Sequence, residues 1–256
     1  MTQTLLFEQH SNGVAVITFN RPDALNALNL ATMQQFAETV THLNQATESL
    51  RAVILTGAGT QAFCSGGDLV ELSRYPSQDD ARAFITLMGN ALLMLERLPV
   101  PVIGAINGYA LGGGSEIALA CDLRIADESV RLGFVQIKNA VIPGWGGGQR
   151  LLRLVGYSRA LELLVTARPL SAAEAHTLGL VNRVVGTGAA LEHAVEMAEK
   201  IAAQPPDVVR AIKALLQAGL TQPYEDALRL ERDLFPPLWA AEAHLQAVEN
   251  FLNRRK

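Results

Sequence analysis

Apolar positions recur with two periods along the chain, and the switches between them mark out its elements. Residues 14–19 and 52–56 are short runs rich in branched side chains and read as strands. The first is entered from the turn Ser11, Asn12, Gly13 and closed by Asn20, Arg21, Pro22 and Asp23. Between the two strands, Leu30, Met33, Phe36, Ala37, Val40 and Leu43 keep a helical period, and Asn29 is placed to cap its first turn. Residues 77–98 repeat the helical pattern through Phe84, Leu87, Met88, Ala91, Leu92 and Leu95, until Pro99 stops it. The run 100–106 has the length and branching of a buried strand, broken by Asn107 and Gly108. Gly112, Gly113 and Gly114 then suit a tight turn where bare backbone approaches something else, and residues 115–120 read as a buried helix with Glu116 on its first turn.

Residues 130–135 read as extended. Pro143, Gly144 and the glycines 146–148 form a rigid turn into a helix over 149–155. Ser171 and Glu174 have the spacing of a capping box, Gly179 ends that short helix, and residues 181–185 form a strand. Beyond Gly188 the pattern is helical only, over 191–203, 207–218, 224–234 and 238–252. The expected fold class is therefore α/β: a mixed core, residues 1–190, followed by a helical region, residues 191–256, of a kind used for covering or assembly.

With 256 residues the chain can bury a sizeable core. A net charge of −4 with scattered Lys and Arg gives no basic field for nucleic acid or an anionic membrane. The one stretch long enough to suggest a membrane span, residues 100–121, contains Pro101, Asn107, Glu116 and several glycines, so buried core is the expectation. Residues 1–10 lack the pattern of a signal peptide. Cys64 and Cys121 form neither a disulfide framework nor a metal-ligand spacing, which points to a reducing cytoplasm and to no metal. Residues 57–62 fit a loose dinucleotide fingerprint, but two more glycines follow where a helix should begin, leaving nicotinamide binding a minor alternative.

The segment Ser65, Gly66, Gly67, Asp68, Leu69 repeats the logic of the 112–116 turn: flexible backbone, an acidic residue, then a helix. The first N–H groups of a helix lack internal partners and carry partial positive charge. Two such turns are able to aim donors at one oxygen, which stabilises an oxyanion, and Glu116 beside them is able to move a proton. The bland reading is that the glycines only permit close packing and that Glu116 favours a helix N-terminus. On residues 108–123 alone the two readings stand even.

Four blocks carry a resemblance. They are Asn20-Arg-Pro-Asp-Ala-Leu-Asn-Ala-Leu28, Phe63-Cys-Ser-Gly-Gly-Asp-Leu69, Gly108-Tyr-Ala-Leu-Gly-Gly-Gly-Ser-Glu116 and Ile142-Pro-Gly-Trp-Gly-Gly-Gly-Gln-Arg-Leu151. In order and spacing they resemble the enoyl-CoA hydratase/isomerase (crotonase) family over nearly the whole chain. The resemblance implies a spiral of ββα units, a C-terminal helical region that builds homotrimers or homohexamers, acyl-CoA thioester substrates and no separate cofactor. It implies that the N–H groups of Gly67 and Gly113 hold the thioester oxygen as an enolate forms. It places Glu116 as general acid/base. Ala24, Asn26, Ala62, Gly66, Asp68, Leu69, Gly144 and Trp145 are expected to line the CoA and acyl path. Trp145 either narrows the acyl pocket or simply packs, and Lys213 is expected as a solvated surface lysine.

The second glutamate that hydratases of the family use falls at Gln136. An amide holds a water or a carbonyl but cannot act as a carboxylate base. The expected activity is hydration of a 2-enoyl-CoA. The alternative is decarboxylation of a malonyl-type thioester, which needs no base to start, and an alternative of another class is a non-catalytic acyl-CoA binder. A serine hydrolase using Ser115 is disfavoured, because no nucleophile-elbow motif surrounds it.

Overall fold

The computed structural model describes residues 3–254. The described residues up to Glu199 form one compact unit built on a repeated strand, strand, helix theme. The hairpin β1 (Leu5–Gln9) and β2 (Val14–Phe19) pairs antiparallel and is followed by α1 (Leu30–Gln45). Next come β3 (Ala52–Gly57), β4 (Ala62–Cys64), a single turn α2 (Leu69–Leu72) and α3 (Gln78–Glu96). A third unit is β5 (Val102–Ile106), β6 (Tyr109–Leu111) and α4 (Gly113–Ala120). A fourth is β7 (Leu123–Asp127) and β8 (Arg131–Gly133), then a 3-10 turn at Gln136–Asn139, α5 (Gly147–Val155) and α6 (Tyr157–Thr166). β9 (Leu170–Ser171), α7 (Ala172–Thr177) and β10 (Arg183–Val185) lead to α8 (Ala190–Ala202).

In each of the second, third and fourth units the first strand joins one sheet and the second strand joins another. The larger sheet has the order β1-β2-β3-β5-β7-β10 and the smaller β4-β6-β8-β9. β3 and β5 are buried at every position, as expected for parallel strands covered on both faces. α1 supplies Met33, Phe36, Val40 and Leu43 to the core, with Asn29 accepting from the Thr32 N–H as its cap. Ser171 and Glu174 form the anticipated capping box, and Ser77 with Asp80 forms another.

Several sequence expectations are revised. Gly113 and Gly114 lie inside the first turn of α4, and only Gly112, at φ 55°, makes the turn before it. Residues 57–62 lead into β4, where a dinucleotide fold requires a helix. Extended structure at 130–135 shrinks to β8, and α6 follows immediately after Gly156.

The second compact unit, the described residues from Lys200 onward, holds α9 (Pro206–Thr221), α10 (Tyr224–Trp239) and α11 (Glu242–Asn253). α10 runs through Pro236 and Pro237, where the sequence suggested a break; the two prolines donate no hydrogen bond, and Ala240 N–H donates to Pro236 O at the helix end. Lys213 on α9 is 7 % exposed, so it is not the solvated lysine expected. Among the described residues no helix is long and apolar enough to cross a membrane.

Candidate functional site

The two glycine turns meet because the strands that launch them are neighbours. β4 and β6 pair in parallel, with Ala62 opposite Tyr109 and Cys64 opposite Ala110, so their C-terminal ends deliver both turns to one place. A Cβ on Gly66 would stand 2.8 Å from the Gly113 nitrogen, a direct measure of how closely the backbones approach.

The direction of the Gly67 N–H follows from its flanks. Leu28 N–H donates to Gly66 O at 2.8 Å, and Asp68 N–H donates to Leu28 O at 2.9 Å. Successive peptide groups of an extended segment face opposite sides, so the Gly67 N–H points away from the 25–28 loop. Gly113 is the first residue of α4, where an N–H has no intrahelical acceptor. Neither N–H donates to another group among the described residues.

Trp145 covers both turns. Its indole occupies the space a Gly113 side chain would need, and a Cβ on Gly67 would lie 4.0 Å from its Cζ2. Trp145 is 5 % exposed and belongs to the main apolar core, so the packing aromatic and the wall over the glycines are one and the same residue.

Glu116 lies three residues after Gly113, on the same face of α4. It is 2 % exposed, and its carboxylate is ringed by donors. Oε2 accepts from the N–H groups of Trp145 and Gly147, both at 2.8 Å. Oε1 accepts from Gln136 Nε2 at 3.0 Å and from the Gly144 N–H at 3.3 Å. Burial nevertheless pushes its pKa up, against the lowering effect of these bonds, of which Gly147 contributes most. Gln136 is buried, and its orientation is fixed by Glu116, since the reverse would set two acceptors face to face. Its Oε1 is then enclosed with no donor. Gln136 also lines an apolar cavity of about 380 Å³ with Phe134, Ile142, Leu161, Leu164 and Val165.

Other expected site residues hold the surrounding backbone in place. Asn26 is 1 % exposed and its side chain is fully used: Oδ1 accepts from the Arg21 N–H, and Nδ2 donates to the Ala58 and Ala62 carbonyls. Ala62 is buried beneath it. Asp68 caps α2 and pairs with Arg21 at 2.9 Å. Burial would raise its pKa, but the Arg21 hydrogen bond and charge, with the Glu71 N–H, outweigh burial and hold it low. Gly144 and Trp145 give their N–H groups to Glu116. Ala24 is half-buried, and Leu69 is exposed beside the second turn.

Ser115 is fully buried, with its one hydroxyl proton placed between Ala110 O and Gly133 O and its oxygen accepting from the Gly133 N–H. Burial pushes the Cys64 thiol up to about 12, leaving no thiolate at neutral pH. Both are structural groups.

Sequence reasoning passed over Arg21, Gly147 and Arg150. Arg21 sat in a segment read as the end of a strand and as part of a family block, with no role of its own. Gly147 is one of three consecutive glycines, and a Cβ there would collide with Glu116. Arg150 pairs with Glu96 at 2.8 Å and donates to Trp145 O at 2.8 Å, tying the turn around Glu116 to α3.

The family model described as Enoyl-CoA hydratase/isomerase matches residues 9–256. A Clostridium acetobutylicum protein named short-chain-enoyl-CoA hydratase is 40 % identical over 95 % of this chain and 92 % of its own length. A Mus musculus protein named ethylmalonyl-CoA decarboxylase is 34 % identical over 93 % of this chain and 74 % of its own. The crystal structure of an enoyl-CoA hydratase from Bacillus anthracis superposes with a TM-score of 0.92 at 39 % identity, covering 98 % of this chain and 97 % of that one. The paired glycine turns, the carboxylate on α4 and these matches agree: the chain belongs to the enoyl-CoA hydratase/isomerase family.

Proposed function

We propose that this protein is an acyl-CoA thioester enzyme that hydrates a 2-enoyl-CoA. The observation that carries the reading is the adjacency of two unpartnered N–H groups, Gly67 and Gly113, with Glu116 three residues further along α4. In this reading both N–H groups donate to the thioester oxygen. As water adds to C3, the C2=C3 π electrons move toward the thioester and the oxygen becomes an enolate. Losing one such donor typically costs about 2.7–4 kcal/mol of transition-state stabilisation. Glu116 takes the proton released by water and returns one to C2, so the product gains one water in total. Gln136 orients the Glu116 carboxylate through its Nε2, and the apolar cavity that Gln136 lines receives a short acyl chain. Ala24, Gly66 and Leu69 flank the path of the thioester arm.

Decarboxylation of a malonyl-type thioester is the second reading, and Gln136 is the observation in its favour. Loss of carbon dioxide leaves its electron pair on the same oxygen-held enolate and asks only for one proton afterward, so a single carboxylate suffices. A relative carries the name ethylmalonyl-CoA decarboxylase, which is in keeping with this reading. In either reading the protein acts in the cytoplasm as a homotrimer or homohexamer.

The test is a substrate panel read by mass spectrometry. Crotonyl-CoA is expected to gain water; loss of carbon dioxide from methylmalonyl- or ethylmalonyl-CoA with no hydration would select the second reading. Tight binding of all three without turnover would leave a non-catalytic acyl-CoA binder.

A further inference from the structure

The Gly67 N–H sits on a diglycine, a backbone with no side chain to hold it and with Gly66 at φ 101°. A donor aimed at a developing charge is useful only when held rigidly. The restraint comes from residues 21–28. Leu28 brackets Gly67 through Gly66 O and the Asp68 N–H, and Ser65 N–H donates to Leu25 O at 3.1 Å. This loop is itself strained, because Leu25 and Asn26 are consecutive non-glycine residues in the left-handed region, at φ 51° and 55°. Such a conformation persists only when its surroundings enforce it.

Two side chains enforce it. Asn26 staples the loop to Arg21 and to the carbonyls of Ala58 and Ala62. Arg21 spans the remainder with its fork: Nη1 donates to Ala27 O at 2.6 Å and Nη2 pairs with Asp68 Oδ2 at 2.9 Å. Asp68 is the residue directly after the donor, so the ion pair anchors the donating turn to the loop that brackets it. The two side chains are 22 % and 15 % exposed.

We propose that Arg21 and Asp68 are positioning residues for the oxyanion donor Gly67, acting as one clamp through the 25–28 loop. The proposal rests on Gly67 being that donor, as the functional reading above holds. It separates Asp68 from a simple lining role: a clamp changes how well bound substrate is polarised, and a wall changes how tightly it binds.

Acetoacetyl-CoA is the probe, because its enolate absorbs in the near ultraviolet and its keto form does not. Wild-type protein at saturation is expected to show the enolate band; its absence would remove Gly67 as an oxyanion donor, and the clamp with it. Given the band, Arg21→Met and Asp68→Asn are each expected to reduce the enolised fraction at saturation about tenfold, less than full loss of a donor. Their dissociation constants for the probe should change far less. Asparagine keeps the N-cap of α2, so Asp68→Asn isolates the ion pair and serves if Arg21→Met fails to fold. The double variant should be no worse than either single one, and Arg21→Lys should restore only part of the signal because an ammonium cannot span both acceptors. An unchanged enolised fraction with weakened binding, or independent effects that multiply in the double variant, would overturn the proposal.

Discussion

Glu116 is pulled in two directions. Four N–H donors favour its ionised form, yet burial is the larger influence and the net pKa lies above the ordinary glutamate range. The folded protein therefore holds this proton to a higher pH than the unfolded chain does. The associated stability is fully present below the unfolded value and is lost as pH rises through the folded one. In hydration the carboxylate must be ionised, so the acid limb of kcat/KM is expected above the ordinary glutamate pKa. Gln136→Glu would put a second carboxyl where an amide now sits 3.0 Å away, too close for both to ionise. That variant should hydrate crotonyl-CoA faster, and its pH-rate series should gain a basic limb where the one proton shared by the pair is lost. An unchanged rate and profile would mean that the missing carboxylate does not limit hydration. Glu116 and the glycine turns stood out in the sequence because bare backbone beside a carboxylate is the pattern that the proposed oxyanion chemistry asks for. The sequence did not reveal Asn26 and Asp68 as braces, since a polar side chain in a loop reads the same whether it faces a ligand or an enclosed carbonyl.

At the level of elements, the site exists because β4 and β6 are parallel neighbours, and neither is visible in the sequence. Each has three residues, too few to display a period of two, and each is specified by pairing across the small sheet. The long helices were legible for the opposite reason: α1 and α3 repeat their apolar stripe over four or more turns between clear caps. α6 was missed because it exposes Tyr157, Leu161 and Val165 while burying Ala160 and Leu163, which blurs its stripe. Ser115 joins three elements, bonding from α4 to Ala110 on β6 and Gly133 on β8. Ser115→Ala takes the hydroxyl partner from Ala110 O and the Gly133 N–H, while Gly133 O keeps the Gly112 N–H, at a cost of about 1–3 kcal/mol. The expected result is a fall in Tm of roughly 3–9 °C for a chain of this size, with turnover persisting in the folded fraction. Abolished turnover with an unchanged Tm would instead give Ser115 a chemical role.

At the scale of the whole molecule, the helical unit leaves apolar surface that its own residues do not cover. Ile212, Leu216 and Leu220 follow one another at four-residue spacing along α9, and Leu245, Val248 and Leu252 form a stripe on α11, all exposed. Stripes this long are uncommon on a monomer and mark an interaction face. The chain carries a net charge of −4, so repulsion between copies is weak and apolar burial is able to dominate their association. This is the face that the assembly proposed above would bury. Leu216→Lys with Leu220→Lys puts two charges where a partner copy would bury apolar area, and each unpaired charge is costly to enclose. Light scattering coupled to size exclusion should give a trimer or hexamer for the natural chain and a shift toward single protomers for the double variant, with far-ultraviolet circular dichroism unchanged because both positions already face solvent. An unchanged mass in the variant would move the interface elsewhere on the molecule, and a monomeric natural chain would leave the stripes to a partner of another kind.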